Sequence, residues 1–177
     1  EWMNDVHPFF WKGTYHAFFQ YAHTSNWGLR MWGHARSSDL VHWEQVPNAL
    51  NAGPEWYDKD TVASGCLVEH EGKVHILYTG ISRGPEKGTA NHQRQCEAVA
   101  ESDDLIVWKK NPSNPLMDSK THLAPPYTAR CWCDPEVWKE GSKWHMLLGC
   151  SLEGVGAYSL YSSADLKHWD YESCFWK

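Results

Sequence analysis

Short apolar or alternating runs fill this chain, and Gly, Pro, Ser or Asn interrupts each run within several residues. Three segments share one layout, in which apolar residues lead to a Gly-containing turn and then to a second apolar run: residues 8–19, 67–79 and 135–148. This layout predicts a β-hairpin in each segment. Because long stretches with helical periodicity are absent from the sequence, we expect an all-β protein with almost no helix.

A second motif, Asp-Leu-x-x-Trp, follows each predicted hairpin, and it begins at Asp39, Asp104 and Asp165. The repeating unit is therefore about 60 residues long, with two hairpin-like halves and a recurring Trp, as in a four-stranded propeller blade. We divide the chain into units of roughly 1–60, 61–130 and 131–177 within a single partial propeller domain. Packing of the units as a sandwich is the alternative, and it would separate their polar residues.

Each unit carries a polar residue at one matched position, the same number of residues before a strand histidine. The polar residues are Asp5, Ser64 and Asp134, and the histidines are His16, His75 and His145. Inner strands of a propeller line one channel, so we expect the three polar residues to share a pocket there. A turn role is the alternative, because Asn-Asp, Ser-Gly and Asp-Pro are common turn formers. A pair of carboxyl groups such as Asp5 and Asp134 is what glycoside hydrolysis uses. We predict structural roles for the three histidines.

An ordered series of motifs carries a family resemblance over nearly the whole chain: Trp2-Met3-Asn4-Asp5, residues 15–21, residues 32–43, Ser64-Gly65, residues 77–80, Gln95-Cys96, Asp134-Pro135 and residues 160–163. In this order they resemble glycoside hydrolase family 32, the invertases and fructan hydrolases. The resemblance implies a five-bladed propeller, with about three blades present here. It also implies cleavage of β-fructofuranosides with retention, through a covalent fructosyl-aspartate intermediate.

The resemblance assigns roles to individual residues. Asp5 matches the family's nucleophile and Asp134 its transition-state stabiliser. Contacts to the sugar are implied for Asn4, Gln20 and Ser64, whereas we expect Trp27 to form part of the subsite wall and Trp32 to serve in packing.

The acid/base of the family is a Glu followed by Cys in the blade after the stabiliser, so we expect it beyond residue 177. Glu153 and Glu172 are the late candidates within the chain. Glu172 is separated from Cys174 by Ser173, and we interpret it as an exposed strand-edge residue. Three units are also fewer than a closed propeller requires, so we expect the 177 residues to belong to a longer protein.

The chain departs from the family pattern in three segments. Val6-His7-Pro8 stands where the family has Pro-Asn-Gly, Ala63 and Cys66 stand where it has Phe and Ser, and Cys133 stands where it has Arg. The last change matters most, because a thiol cannot replace the fork of donors that a guanidinium offers to sugar hydroxyls. We expect Arg130 to reach the subsite from another direction.

Charge and hydrophobic composition limit the kinds of partner that this chain is expected to bind. With 16 basic and 22 acidic residues the net charge is −6, and no basic run occurs, so nucleic acid is excluded as a partner. No apolar stretch is long enough to span a bilayer, and we expect a carbohydrate substrate, no cofactor and no membrane.

The six cysteines do not determine the redox compartment of the protein. We favour an extracellular or periplasmic location slightly over a cytoplasmic one. Cys131-Trp132-Cys133 lacks the second Cys pair of a structural zinc site, so no metal is predicted. Cys66, Cys96 and Cys150 fall in apolar strand contexts typical of buried thiols. Disulfides, as in a secreted enzyme, are the alternative.

Three alternatives to a fructan or sucrose hydrolase remain open. The first is a non-hydrolytic carbohydrate-binding propeller, in which the altered motifs keep affinity without turnover. The second is a fructosyltransferase, and the third is a related propeller glycosidase that acts on arabinose or xylose units. The sequence does not indicate an oligomeric state.

Overall fold

Three antiparallel sheets form the structure, a computed structural model that describes residues 2–22, 29–83, 92–122, 129–152 and 154–177. Residues 2, 129 and 130 are described by their backbone only. The first sheet has the order β1 (Trp2–Trp11), β2 (Thr14–Ala22), β3 (Met31–Ser37) and β4 (Glu44–Leu50). In the second sheet, β5 (Thr61–His70), β6 (Lys73–Ile81), β7 (Gln93–Ala100) and β8 (Trp108–Lys110) follow one another, and β9 (Met117–Asp118) also pairs with β7. The third sheet has the order β10 (Ala129–Glu140), β11 (Lys143–Leu152), β12 (Val155–Ser163) and β13 (Asp170–Trp176).

The sheets are meanders, so the all-β prediction is confirmed. Within the described ranges, the helical residues form one short α-helix, α1 (Ser119–His122). The third sheet begins at Ala129, close to the predicted start of the third unit at residue 131; the unit boundaries stay a prediction.

Two-residue turns close the predicted hairpins. Trp11 pairs with Thr14, and His70 pairs with Lys73. Both residues of the Lys12-Gly13 turn have positive φ (47° and 85°), as have both residues of Glu71-Gly72 (52° and 75°). Positive φ at both central residues defines the type I′ turn, whose twist matches that of the flanking strands. Gly is therefore required at the second turn position in both blades.

The Asp-Leu-x-x-Trp motif builds the turn between the third and fourth strands. In the first sheet, Oδ1 of Asp39 accepts hydrogen bonds from the amides of Val41 (2.9 Å) and His42 (2.8 Å). The leucines have positive φ in all three copies, and each tryptophan indole donates to the leucine carbonyl: Trp43 to Leu40 (3.1 Å), Trp108 to Leu105 (2.7 Å) and Trp169 to Leu166 (3.0 Å). The motif is thus a structural turn, and the residues that carry chemistry lie elsewhere.

Apolar side chains fill the spaces between neighbouring sheets. Phe18, Trp32 and Tyr78 belong to the core shared by the first and second sheets, and Trp132 and Met146 to the core shared by the second and third. All five are fully buried. The first strand of the second sheet, β5, contacts both β1 and β10. The first strands of the three sheets are therefore neighbours, as expected of the inner strands of adjacent blades.

Candidate active site

Each inner strand is interrupted by a β-bulge at the predicted polar position. The pairing register shifts between Asn4 and His7 in β1, between Val62 and Gly65 in β5, and between Cys133 and Glu136 in β10. The shifts enclose Asp5, Ser64 and Asp134. Because a bulge re-aims side chains and locally ends the ladder, it is a common device beside active sites. The matched sequence position is therefore a matched structural position.

Both aspartates have left-handed backbone conformations, with φ of 49° at Asp5 and 58° at Asp134. Such values are uncommon for residues with a side chain, although Asp tolerates them better than most. Sparsely populated backbone conformations cluster at functional sites, where the surrounding structure holds them in place. Both carboxylates are solvent-exposed, as substrate access requires.

Ser64 contacts Asp5 directly. Its hydroxyl donates a 2.8 Å hydrogen bond to Oδ2 of Asp5, and the serine itself is buried. Gly65 makes the local geometry possible, since a Cβ at this position would lie 1.8 Å from the carbonyl oxygen of Leu77. The second blade thus holds a donor against the carboxylate of the first.

A buried hydrogen-bond chain positions Asp134. Its amide donates to Oγ1 of Thr79 (2.9 Å), and the Thr79 hydroxyl donates to Oε1 of Gln95 (2.9 Å). Nε2 of Gln95 then donates to the carbonyl of Trp132 (2.9 Å). Thr79 and Gln95 of the second sheet therefore hold the β10 bulge in place through these hydrogen bonds. These roles were not predicted, although both side chains lie in segments that carry the family resemblance.

Asp5 and Asp134 both interact electrostatically with His7 and with Arg30. Burial lowers the pKa of His7, and Asp5 and Asp134 oppose this shift. Burial likewise lowers the pKa of Arg30, against the opposing attraction of Asp134 and, more weakly, Asp5. Charge interactions between exposed groups are screened over about 8 Å in physiological salt. Both carboxylates therefore act electrostatically on the same imidazole and the same guanidinium.

The backbone ties these two groups to the bulges. His7 directly follows the β1 bulge, and its ring stacks on Trp32 at 5.0 Å between centroids. The carbonyl of Arg30 accepts a hydrogen bond from the amide of Val62 (3.2 Å), beside the β5 bulge. His7 had a sequence signal, because it stands in a segment that departs from the family pattern. Arg30 had no such signal.

Gln20 and Asn4 are cross-strand partners with buried, unused hydrogen-bonding atoms. Gln20 is 0% exposed. Its Oε1 and Nε2, and Oδ1 of Asn4, form no hydrogen bond with the part of the chain that the structure describes. An unsatisfied buried polar group costs about 1–3 kcal/mol. The amides of Gln20 and Asn4 therefore have hydrogen-bonding capacity beside the β1 bulge that the described residues do not use.

The two cysteines before Asp134 lie in contact. Sγ of Cys131 is 3.0 Å from Sγ of Cys133, and Cys133 is placed to donate to Oδ2 of Asp134 at 3.4 Å. The interaction with Cys133 lowers the pKa of Cys131 to about 7, whereas the same interaction and burial raise the pKa of Cys133. In residues 2–22, 29–83, 92–122, 129–152 and 154–177, no group of three or more potential ligand side chains is placed to hold a metal ion.

Some predicted residues are not brought to this site. Glu172 lies on β13, the opposite edge of the third sheet from β10, and it pairs with Lys143 (2.9 Å). Its Oε1 also accepts a 2.5 Å hydrogen bond from Ser162. The Ser162 hydroxyl, followed by Lys143, lowers the pKa of Glu172. A general acid needs a raised pKa, so these contacts argue against an acid/base role.

Three further candidates lie outside the described residues or side chains. They are Trp27 and Glu153, and the side chain of Arg130, whose backbone belongs to β10. Their roles stay predictions.

The three strand histidines contact residues of their own sheets. Nδ1 of His16 is 2.9 Å from Nε2 of His34, and Nδ1 of His75 is 2.7 Å from Oε1 of Glu97. His145 stacks on Trp138 with centroids 5.4 Å apart. These contacts are structural in kind.

A profile of the glycosyl hydrolases family 32 N-terminal domain matches residues 1–177. The chain belongs to glycosyl hydrolase family 32. Sucrose-6-phosphate hydrolase of Zymomonas mobilis is 38% identical to this family 32 chain over 176 residues, which cover 95% of the chain and 33% of the relative. The acid β-fructofuranosidase of Phaseolus vulgaris is 35% identical over 181 residues, covering 96% and 26%.

Solved structures agree on the fold. The GH32 β-fructofuranosidase of Bombyx mori superimposes with a TM-score of 0.81 at 32% identity, covering 98% of this family 32 chain and 35% of that one. Fructan 1-exohydrolase IIa of Cichorium intybus, solved in complex with 1-kestose, gives a TM-score of 0.83 at 28% identity, covering 98% and 32%. The propeller prediction is thus confirmed, and the chain spans about a quarter to a third of the length of these relatives. In the described residues, no helix is long and apolar enough to cross a membrane.

Proposed function

We propose that this family 32 chain supplies the nucleophile and the fructosyl-binding residues of a retaining glycosidase. Its substrates are β-fructofuranosides: sucrose, fructo-oligosaccharides or fructan. The observation that carries the proposal is the Ser64–Asp5 hydrogen bond between neighbouring inner strands, with Asp134 acting on the same imidazole and guanidinium as Asp5.

The reaction follows from the two carboxylates. Asp5 attacks the anomeric carbon of the fructosyl unit, and the bond from that carbon to the leaving oxygen breaks. The leaving oxygen takes a proton from a general acid, which we assign to a Glu outside residues 1–177. Water, deprotonated by the same Glu, then attacks the anomeric carbon and releases fructose and free Asp5.

The surrounding residues prepare this chemistry. Ser64 binds one oxygen of Asp5 and leaves the other to attack. Asp134 accepts hydrogen bonds from ring hydroxyls, because an ionised carboxylate offers only acceptors. The unsatisfied amides of Gln20 and Asn4 bind further hydroxyls and thereby orient the sugar.

Arg30 takes the place of the arginine that is lost at position 133. Asp5 and Asp134 are both exposed and both attract the half-buried Arg30, so the positive charge of Arg30 offsets repulsion between the two carboxylates. Its planar fork also offers donors to a fructosyl hydroxyl. The names of the relatives support the substrate class, since they include a sucrose-6-phosphate hydrolase and a fructan exohydrolase bound to 1-kestose.

A non-hydrolytic carbohydrate-binding protein is the second candidate. The observation that favours it is Cys133, which places a thiol rather than a cation beside Asp134. In that case the pocket would hold fructosides without turnover.

Asp5→Asn in the full-length protein separates the two candidates. The variant keeps the size of the side chain but removes the nucleophile, so we expect fructose release from sucrose, inulin and 1-kestose to fall by about 10³-fold or more. Calorimetry should show that 1-kestose still binds. Asp103→Asn is the matched control, because Asp103 is exposed and its ion-pair partner is Lys12, at 2.7 Å, in the turn between β1 and β2 of the first sheet. Undiminished hydrolysis by Asp5→Asn would refute the assignment, and binding without turnover by the unmodified protein would establish the second candidate.

A further inference from the structure

The contact between Cys131 and Cys133 has no role in the proposed hydrolysis, yet it lies one residue from Asp134. Alternate residues of a strand share a face, and the pairing register of β10 shifts between Ala129 and Trp132, a stretch that includes Cys131. Their Sγ atoms are 3.0 Å apart. Both cysteines are half-buried rather than sealed in the core.

The two thiols differ in reactivity. The hydrogen bond from Cys133 lowers the pKa of Cys131, which favours the thiolate form of this cysteine over that of its partner. Gln93 supports the same sulfur, with Nε2 at 4.0 Å. Thiolates, and not thiols, attack disulfides, and the best attacking thiol has a pKa near the ambient pH. Cys66 and Cys96 differ sharply, because burial raises the pKa of each thiol.

We propose that Cys131 and Cys133 form a redox-active thiol pair that a low-molecular-weight disulfide converts to an intramolecular disulfide. The Cys131 thiolate attacks one sulfur of the small disulfide, forms a mixed disulfide and releases one small thiolate. Cys133 then loses its proton and attacks Sγ of Cys131, which releases the second small thiolate. The pair loses two electrons and two protons, and the small disulfide becomes two thiols.

Oxidation changes the surroundings of Asp134. The reduced Cys133 thiol is placed to donate to Oδ2 of Asp134, whereas a disulfide sulfur has no proton to donate. Because Asp134 lies on the adjacent bulge, ring closure between the cysteines also constrains its backbone. We expect oxidation to lower fructoside turnover by about 2- to 10-fold, the range for one hydrogen bond. This effect on turnover rests on the proposed function; formation of the disulfide does not.

Peptide mapping tests the pair directly. The full-length protein is incubated at neutral pH with oxidised glutathione or with dithiothreitol, alkylated and digested with trypsin. Cleavage after Arg130 and Lys139 places both cysteines in one peptide, residues 131–139. The oxidised sample should contain this peptide unalkylated and lighter by two hydrogen atoms than its reduced, unalkylated form. A doubly alkylated peptide, or one that carries two glutathione adducts, would overturn the proposal.

Single variants provide the controls. Cys131→Ser and Cys133→Ser should each eliminate the internal disulfide and leave one glutathione adduct, whereas Cys174→Ser should oxidise as the unmodified protein does. Cys174 is a half-buried thiol of the same sheet. Turnover by the Cys174→Ser protein should fall on oxidation and recover with dithiothreitol, while Cys133→Ser should show no such response. If the disulfide forms but neither the reduced nor the oxidised protein releases fructose, the hydrolase proposal is refuted and the thiol-pair proposal stands. If the protein releases fructose but the disulfide does not form, the thiol-pair proposal is refuted and the hydrolase proposal stands.

Discussion

The hydroxyl of Ser64 lies 2.8 Å from Oδ2 of Asp5, although 59 residues separate them in sequence and they belong to different sheets. The proposed nucleophile of one blade is thus oriented by the next blade. Neither blade can hold this geometry alone.

Ser64→Ala should therefore reduce turnover. Hydrogen bonds to charged groups contribute about 1.5–3 kcal/mol, which corresponds to a fall in kcat of about 10- to 150-fold if the bond persists in the transition state. The measurement is kcat for fructose release from sucrose by the full-length protein. Ser173→Ala, at an exposed position of β13, is the matched control. An unchanged kcat in Ser64→Ala would show that Asp5 is positioned without the serine.

Gln20→Met should make the protein more stable and a poorer enzyme. Methionine has a similar length but no polar atoms, so it relieves the cost of two buried atoms that have no partner among the described residues, about 1–3 kcal/mol each. We expect the free energy of unfolding in urea to rise by 1 kcal/mol or more, and kcat/KM for sucrose to fall by about 2- to 10-fold per lost sugar contact.

Gln45→Met serves as the control, because Gln45 is exposed on β4 and should change neither quantity. Increased stability with unchanged kcat/KM would make Gln20 a core residue without a role in binding.

Arg30→Met should weaken fructoside binding. The substitution keeps much of the aliphatic stem but removes the cation beside Asp134 and Asp5. We expect kcat/KM to fall by about 10- to 100-fold, in the range for a charged hydrogen bond, and Arg30→Lys to recover part of it, since lysine restores the charge but not the fork. Arg36→Met is the control, because Arg36 pairs with Glu44 at 2.8 Å on the opposite part of β3.

A rescue variant sharpens this test. If Arg30 replaces the family's arginine, adding Cys133→Arg to Arg30→Met should restore kcat/KM toward that of the unmodified protein. No recovery in a folded double variant would separate the role of Arg30 from that of position 133.

The sequence was sufficient to predict the blades because their signals are local. The Lys12-Gly13 turn and the Asp39-Leu40 turn are each specified by adjacent residues, and their repetition defines the unit. The matched positions of Asp5 and Asp134 were readable for the same reason. The hydrogen bond between Asp134 and Thr79, and the electrostatic interaction of Arg30 with both aspartates, join distant segments, so no local pattern indicated them.

A buried histidine pair should make the protein less stable at mildly acidic pH. His34 is 0% exposed, its ring stacks on Phe18 at 4.1 Å, and its Nε2 is 2.9 Å from Nδ1 of His16. Burial, then the positive character of His16 and Arg36, lowers the pKa of His34 from 6.5 to about 3, against a weaker opposing effect of Asp104. Burial also lowers the pKa of His16.

The unfolded chain therefore binds more protons than the folded protein between pH 6.5 and about 3, and stability must fall as pH decreases through this window. One pKa unit corresponds to about 1.4 kcal/mol, so His34 alone should lower the free energy of unfolding by about 2–3 kcal/mol between about pH 7 and pH 4.5. Urea unfolding across this range measures the slope. His34→Gln should flatten the slope, although it lowers stability at neutral pH, whereas His42→Gln, at an exposed site, should leave it close to that of the unmodified protein. An equal slope in His34→Gln would mean that other groups account for the acid sensitivity.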